Sequence, residues 1–350
     1  MRVESLDTPC AVVDLDVLER NLRRAQAHAD ASGLRLRPHV KTHKLPEIAR
    51  MQVGLGAAGI TCQKLGEAEA MAEGGLGDIL LTYNILGEAK LGRLRRLRGR
   101  AAVAVVADGP EVVAGYAAAF GPADPLRVLV ECDTGAGRCG VQSPAEALGL
   151  ARTVAAAPGL RFGGLMTYPP RARRAAAEAW LAEAARLLSE AGLPPATVSS
   201  GGTPDLWGGG AGVVTEYRPG TYAYMDRMQV AWDAATLADC ALTVHATVVS
   251  RPTPTRAVLD AGSKALAADL APLPGHGTIL EHPEAVVASL SEEHAVVDLA
   301  ACPSRRPRVG DRVRVVPNHA CVVTNLFDTV HLARGGEARP AAVTSRGRMG

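Results

Sequence analysis

Aromatic side chains are scarce: three Phe, three Trp and six Tyr, 3% of 350 residues. Hydrophobic residues still make up 47%, so a sizeable core must be filled mainly by Leu, Val and Ala. No apolar run approaches the roughly 20 residues that cross a bilayer, which excludes a membrane-spanning helix. The start, Met1-Arg2-Val3-Glu4-Ser5, lacks the apolar centre of a signal peptide. Net charge is only +2, which argues against a nucleic-acid partner. The one arginine-dense stretch, 93–100, carries Leu94 and Leu97 at helical spacing and reads as a solvated helix face. Seven cysteines, an odd number without regular spacing, exclude a disulfide framework and fit a reducing cytoplasm.

What is present is a rhythm. At 350 residues, two domains are the default. Residues 11–14 are a short strand signal, and 16–30 carry Leu18, Leu22, Ala25 and Ala29 on one helical stripe. Short apolar strands are then expected at 34–40, 58–62, 78–82, 101–106, 126–131, 162–167, 197–200 and 215–217. Helix-period segments separate them, with a weaker one after Pro204. Strands alternating with helices predict an α/β fold, a parallel (β/α)8 barrel, with an open doubly wound sheet as the alternative. The rhythm breaks near Trp232. Alternating β-branched segments follow at 242–249, 257–261, 285–290, 294–299, 312–317 and 321–324, predicting a C-terminal all-β domain. The expected division is 1–235 for the barrel, 236–340 for the β domain and 341–350 for a flexible tail. The Gly-, Arg- and Pro-rich composition after Arg334 is the reason for expecting poor order there.

Several clusters carry chemistry. Leu36-Arg37-Pro38-His39-Val40-Lys41-Thr42-His43-Lys44 runs from the first barrel strand into a loop with two lysines and two histidines. Ligands gather at the C-terminal ends of barrel strands, and lysine is the side chain that joins carbonyl cofactors. Ser199-Ser200-Gly201-Gly202-Thr203-Pro204 follows the seventh strand, and Arg218-Pro219-Gly220-Thr221-Tyr222 the eighth. Loops after those two strands are a frequent phosphate site. A phosphate cradle and a carbonyl-binding lysine on one barrel face suggest pyridoxal 5′-phosphate. In Pro317-Asn318-His319-Ala320-Cys321, a strand would turn His319 and Cys321 to the same side, where both could hold one zinc ion. Two protein ligands leave room for water and substrate.

These motifs resemble the pyridoxal-phosphate enzymes of the alanine-racemase-type barrel, specifically the D-threonine aldolase and D-serine dehydratase branch. The resemblance runs from Leu6-Asp7-Thr8-Pro9 through the lysine loop to Pro317–Cys321. It implies that Lys41, not Lys44, is the cofactor lysine. By the same resemblance Arg138, in Asp133-Thr134-Gly135-Ala136-Gly137-Arg138, contacts the cofactor's phenolic oxygen. Ser200, Gly201, Gly202, Thr203, Gly220, Thr221 and Tyr222 match the phosphate cradle. Tyr168 resembles a cofactor-neighbouring tyrosine and is a catalytic candidate beside Lys41. Gln63 is a further pocket residue. His319 and Cys321 match the ligands of a divalent metal, Zn²⁺ or Mn²⁺. A homodimer is also implied, with the β domain of one subunit over the barrel mouth of the other.

The implied activity is that of a lyase acting on a small D-3-hydroxy amino acid. Retro-aldol cleavage to glycine and an aldehyde is preferred over dehydration to a keto acid and ammonia. Residues 60–64 and 66–70 look aldolase-like, whereas His-x-Cys looks dehydratase-like. The sixth-strand loop, Thr167-Tyr168-Pro169-Pro170-Arg171, departs from the Gly-His-type continuation of the family. A racemase of the related design uses a β-domain tyrosine, and the last tyrosine here is Tyr224. His276, His282 and His294 are the substitutes, each better read as structural. A non-catalytic cofactor-binding barrel would lack both the second domain and the His-x-Cys pair.

Overall fold

The computed structural model of the protein describes residues 1–208, 212–302 and 306–350. Contacts divide the chain into two compact units. One comprises Arg24–Lys41, Pro46–Gly220 and Arg348–Gly350, the other Met1–Arg23, Thr42–Leu45 and Thr221–Gly347.

The chain begins with strand β1 (Cys10–Asp14) and helix α1 (Leu15–Ala31). Eight parallel strands follow: β2 (Arg35–Leu36), β3 (Ile60–Cys62), β4 (Asp78–Leu81), β5 (Ala102–Ala107), β6 (Leu126–Cys132), β7 (Leu160–Thr167), β8 (Thr197–Ser200) and β9 (Glu216–Tyr217). Between them run α2 (Pro46–Gly54), α3 (Leu65–Glu73), α4 (Glu88–Arg98), α5 (Pro110–Ala119), α6 (Pro144–Ala156) and α7 (Arg174–Glu190). Neighbouring strands pair in sequence from β3 to β9, and β9 pairs β2. A parallel bridge between His39 and Thr61, with Ala58 N donating to Leu36 O at 2.8 Å, brings β2 against β3 and completes the ring. Every sequence-predicted barrel strand appears. Covered on both faces, such strands read as continuous apolar runs. After Pro204 the described chain forms only the short turn Thr203–Asp205; the remainder of the expected helix includes 209–211, which lie outside the described residues.

Small apolar side chains fill a layer of the barrel: Leu80, Ala104, Val106, Leu129 and Met166 are buried together. Below full hydrophobicity runs a polar chain. Arg37 donates to Asp78 at 2.6 Å and to Glu216 at 2.7 Å. Ser199 Oγ donates to Glu216 at 2.7 Å and accepts from Arg218 Nε at 2.8 Å, while Arg218 also donates to Thr167 O. Burial opposes charge on Glu216, but Arg37 outweighs it and lowers the carboxyl pKa. Pairing and hydrogen bonds offset the desolvation cost that each buried ion incurs.

The second unit holds a nine-stranded sheet. After α8 (Arg227–Ala231) come β10 (Leu242–Thr253), β11 (Arg256–Leu259), α9 (Ser263–Leu266), β12 (Gly277–Ile279), β13 (Val286–Leu290), β14 (Ala295–Asp298), β15 (Arg312–Pro317), α10 (Ala320–Leu326), β16 (Thr329–Arg334) and β17 (Glu337–Ala342). β1 joins this sheet, antiparallel to β10 and parallel to β16. The unit is thus mostly sheet with short helices. One expectation is corrected. Residues 321–324 are helical, not a strand: the buried Asp226 carboxylate accepts the Ala320 N–H at 3.0 Å, fixing a helix start that overrides the β-branched Val322, Val323 and Thr324. Beyond Arg334, β17 pairs along β16, Ser345 is buried, and Arg346 pairs Asp328 at 2.9 Å.

Candidate active site

The lysine loop leaves β2 as a short turn, Val40–Thr42. Lys41 N–H donates to His39 Nδ1 at 3.3 Å. In neutral His39 the proton then sits on Nε2, which faces Gln63 Oε1 at 3.1 Å. Gln63 Nε2 in turn donates to Thr82 O at 2.8 Å, and Gln63 N–H to Glu67 Oε2 at 2.7 Å. Backbone and side chains thereby hold Lys41 in place through a histidine absent from the candidate residues. Lys44, the other lysine, is buried with φ at 58°.

Gln63 and Arg138 line a cavity of about 480 Å³ with Thr82, Asn84 and Glu131. The Arg138 guanidinium lies 5.4 Å from the centre of the Tyr168 ring, after β7. Glu131 is buried, and burial pushes its carboxyl up to about 7 against the pull of Arg138. Arg218 is fully buried, which lowers its guanidinium to about 10 despite Glu216 and Glu131. Sequence reasoning missed both roles. The available signals were a glutamate ending an apolar strand and an arginine ahead of Pro219-Gly220.

Ser200 ends β8 and is buried. At Gly201, φ is 92° and an added Cβ would lie 2.0 Å from the Tyr217 ring; at Gly202 it would lie 2.9 Å from the Tyr168 ring. Tyr217 OH donates to Gly202 O at 3.0 Å. Only glycine fits this turn, which keeps bare backbone at the strand end before buried Thr203. Gly220 follows β9. In the other unit, Thr221 and buried Tyr222 form the next turn.

That unit also holds the His-x-Cys pair. His319 stands at the N-cap position of α10 without a side-chain capping bond and Cys321 is the helix's second residue, so a helix start, not strand alternation, brings them together. Their side chains hydrogen-bond, and His319 Nδ1 lies 2.6 Å from Asp269 Oδ2. Burial disfavours charge on His319, but Cys321 and Asp269 outweigh it and raise it to about 9. Thr42 Oγ1 lies 3.1 Å and Thr221 Oγ1 3.6 Å from Cys321 Sγ. Thr42 follows Lys41 in the chain, and Thr221 follows Gly220. Among the described residues there is no cluster of three or more metal-type ligands. Imidazole and thiol together are nonetheless a donor set suited to zinc, with open positions.

Residues 13–228 match the family described as alanine racemase, N-terminal domain, and residues 241–333 the putative serine dehydratase domain. A D-threonine aldolase from Arthrobacter sp. is 38% identical over 95% of this chain and 90% of its own length. The chain belongs to the D-threonine aldolase and D-serine dehydratase-like family of alanine-racemase-type enzymes. A D-threo-3-hydroxyaspartate dehydratase from Delftia sp. is 35% identical over 92% of this chain and 93% of its own. The crystal structure of D-threonine aldolase from Filomicrobium marinum superposes with a TM-score of 0.92 at 34% identity, covering 100% of this chain and 98% of that one.

Proposed function

We propose that this chain is a pyridoxal-phosphate-dependent lyase that cleaves D-3-hydroxy amino acids by retro-aldol reaction, giving glycine and an aldehyde. The observation that carries this reading is Lys41, anchored through His39 at the C-terminal end of β2. Full-length similarity to an aldolase supports it.

Lys41 would take the cofactor aldehyde. The turn 200–203, where a Cβ at Gly201 has no room, and the turn 220–222 would hold the phosphate through backbone N–H and hydroxyl donors. Arg138 would face the phenolic oxygen, with Tyr168 and Gln63 around it. Pyridoxal phosphate, when bound, supplies an electron sink for charge at the substrate's Cα. His319 and Cys321 would hold a zinc or manganese ion, which supplies Lewis acidity toward the substrate's β-hydroxyl. Lys41 Nζ would give the proton that converts the cleaved fragment to glycine, while the substrate's hydroxyl proton would pass to solvent water as the aldehyde forms. The His-x-Cys pair and the similarity to a dehydratase favour dehydration as a second reading. No disulfide joins the cysteines among the described residues, which suits a reducing cytoplasm. Among the described residues no helix is long and apolar enough to cross a membrane.

Borohydride reduction followed by peptide mass mapping should place the cofactor on Lys41, and Lys41→Ala should lose both the adduct and at least about a thousandfold in activity. An adduct on Lys44 would overturn the assignment. Incubation with D-threonine, D-serine and D-3-hydroxyaspartate, assayed for aldehyde against keto acid and ammonia, separates the two reactions.

A further inference from the structure

The contact between Asp269 and His319 has no part in the roles given above. Asp269 stands in the segment after α9, about fifty positions before His319 in the chain. Two consecutive residues reach it. The Asn318 amide donates to the backbone carbonyls of Asp269 at 2.9 Å and Gly275 at 3.0 Å. The Asn318 carbonyl oxygen accepts from Arg227 at 2.6 Å, and Arg227 also donates to Pro274 O at 2.8 Å. Asn318 is buried, so this clamp is a fixed part of the fold. Next in the chain, the His319 ring meets the Asp269 carboxylate at 2.6 Å. The His319 side chain is 32% exposed, so an ion from solvent can reach it.

We propose that Asp269 is a positioning residue for a divalent ion at His319: its carboxylate accepts the hydrogen bond from Nδ1–H and so presents Nε2 to the ion. A carboxylate behind a ligating imidazole fixes its tautomer and makes it a stronger donor, and removing such a partner weakens metal affinity by about 10- to 100-fold. In that role Asp269 acts through the imidazole and does not itself ligate the ion. The role rests on the metal reading of His319 and Cys321. The Asn318 clamp grips only backbone at Asp269, so its geometry survives loss of the carboxylate.

Zn²⁺ affinity is measured by calorimetry on the full-length, cofactor-loaded protein. Asp269→Ala should bind Zn²⁺ about 10- to 100-fold more weakly, with thermal unfolding and cofactor absorbance unchanged. Asp269→Glu should recover most of the loss, and Asp269→Asn, which keeps the shape without the charge, should recover less. In the Zn²⁺-loaded protein, nitrogen NMR should show a His319 Nδ1 proton that exchanges slowly with water in the wild type and quickly in Asp269→Ala. Affinity within twofold of wild type in Asp269→Ala would overturn the role. So would a loss as complete as that of His319→Ala, which would make Asp269 a ligand. Wild-type protein that takes up no Zn²⁺, or a His319→Ala variant that binds it normally, would instead refute the underlying metal site.

Discussion

Glu131 shows how much one side chain's surroundings decide. It is buried at the end of β6, and its carboxyl is raised from 4.5 to about 7. The folded state therefore binds a proton more tightly than the unfolded chain, so this group's stabilising contribution is full below about pH 4.5 and is lost as pH rises through about 7. A shift of that size corresponds to roughly 3 kcal/mol. Urea titrations at about pH 4.5 and about pH 7.5 should show this slope, and Glu131→Gln should flatten it; an unchanged slope would remove Glu131 as its source. At this scale the sequence was informative where a residue type is rare in its setting. Lysine at a strand end, paired glycines and His-x-Cys stood out. His39, Glu131, Arg218 and Asp269 did not, because each acquires its meaning from a partner far along the chain.

The barrel strands were legible because burial on both faces leaves uninterrupted apolar runs in a chain with few aromatics. Helix α10 was not, because Val322, Val323 and Thr324 favour strands and the device that starts the helix is Asp226, distant in sequence. Asp226 accepts N–H bonds from Ala320 and from Gln229, each at 3.0 Å, starting both α10 and α8. Burial raises its pKa to about 6 against those bonds. Asp226→Ala strands two buried donors and should cost about 2–4 kcal/mol in urea unfolding, with Asp226→Asn milder because its amide oxygen still accepts. A midpoint equal to wild type would show that the caps contribute nothing. Strands β16 and β17 were hidden by composition: Gly335-Gly336 and Pro340 suggest disorder, yet they form a hairpin turn and sit within its outer strand.

For the molecule as a whole, the resemblance leads us to propose a homodimer, and light scattering should give about twice the 36.3 kDa of one chain. A monomer mass across the micromolar range would set that aside. The nine-stranded sheet carries a consequence of its own. β1 is held between β10 and β16, and Met1 hydrogen-bonds Ala338 across 337 positions. During synthesis β1 emerges ahead of the barrel, meets β10 only after the barrel strands are made, and gains its second neighbour when β16 appears. Until both partners exist, Ala11, Val12 and Val13 form a strand with two open edges, the kind of template on which foreign chains pair.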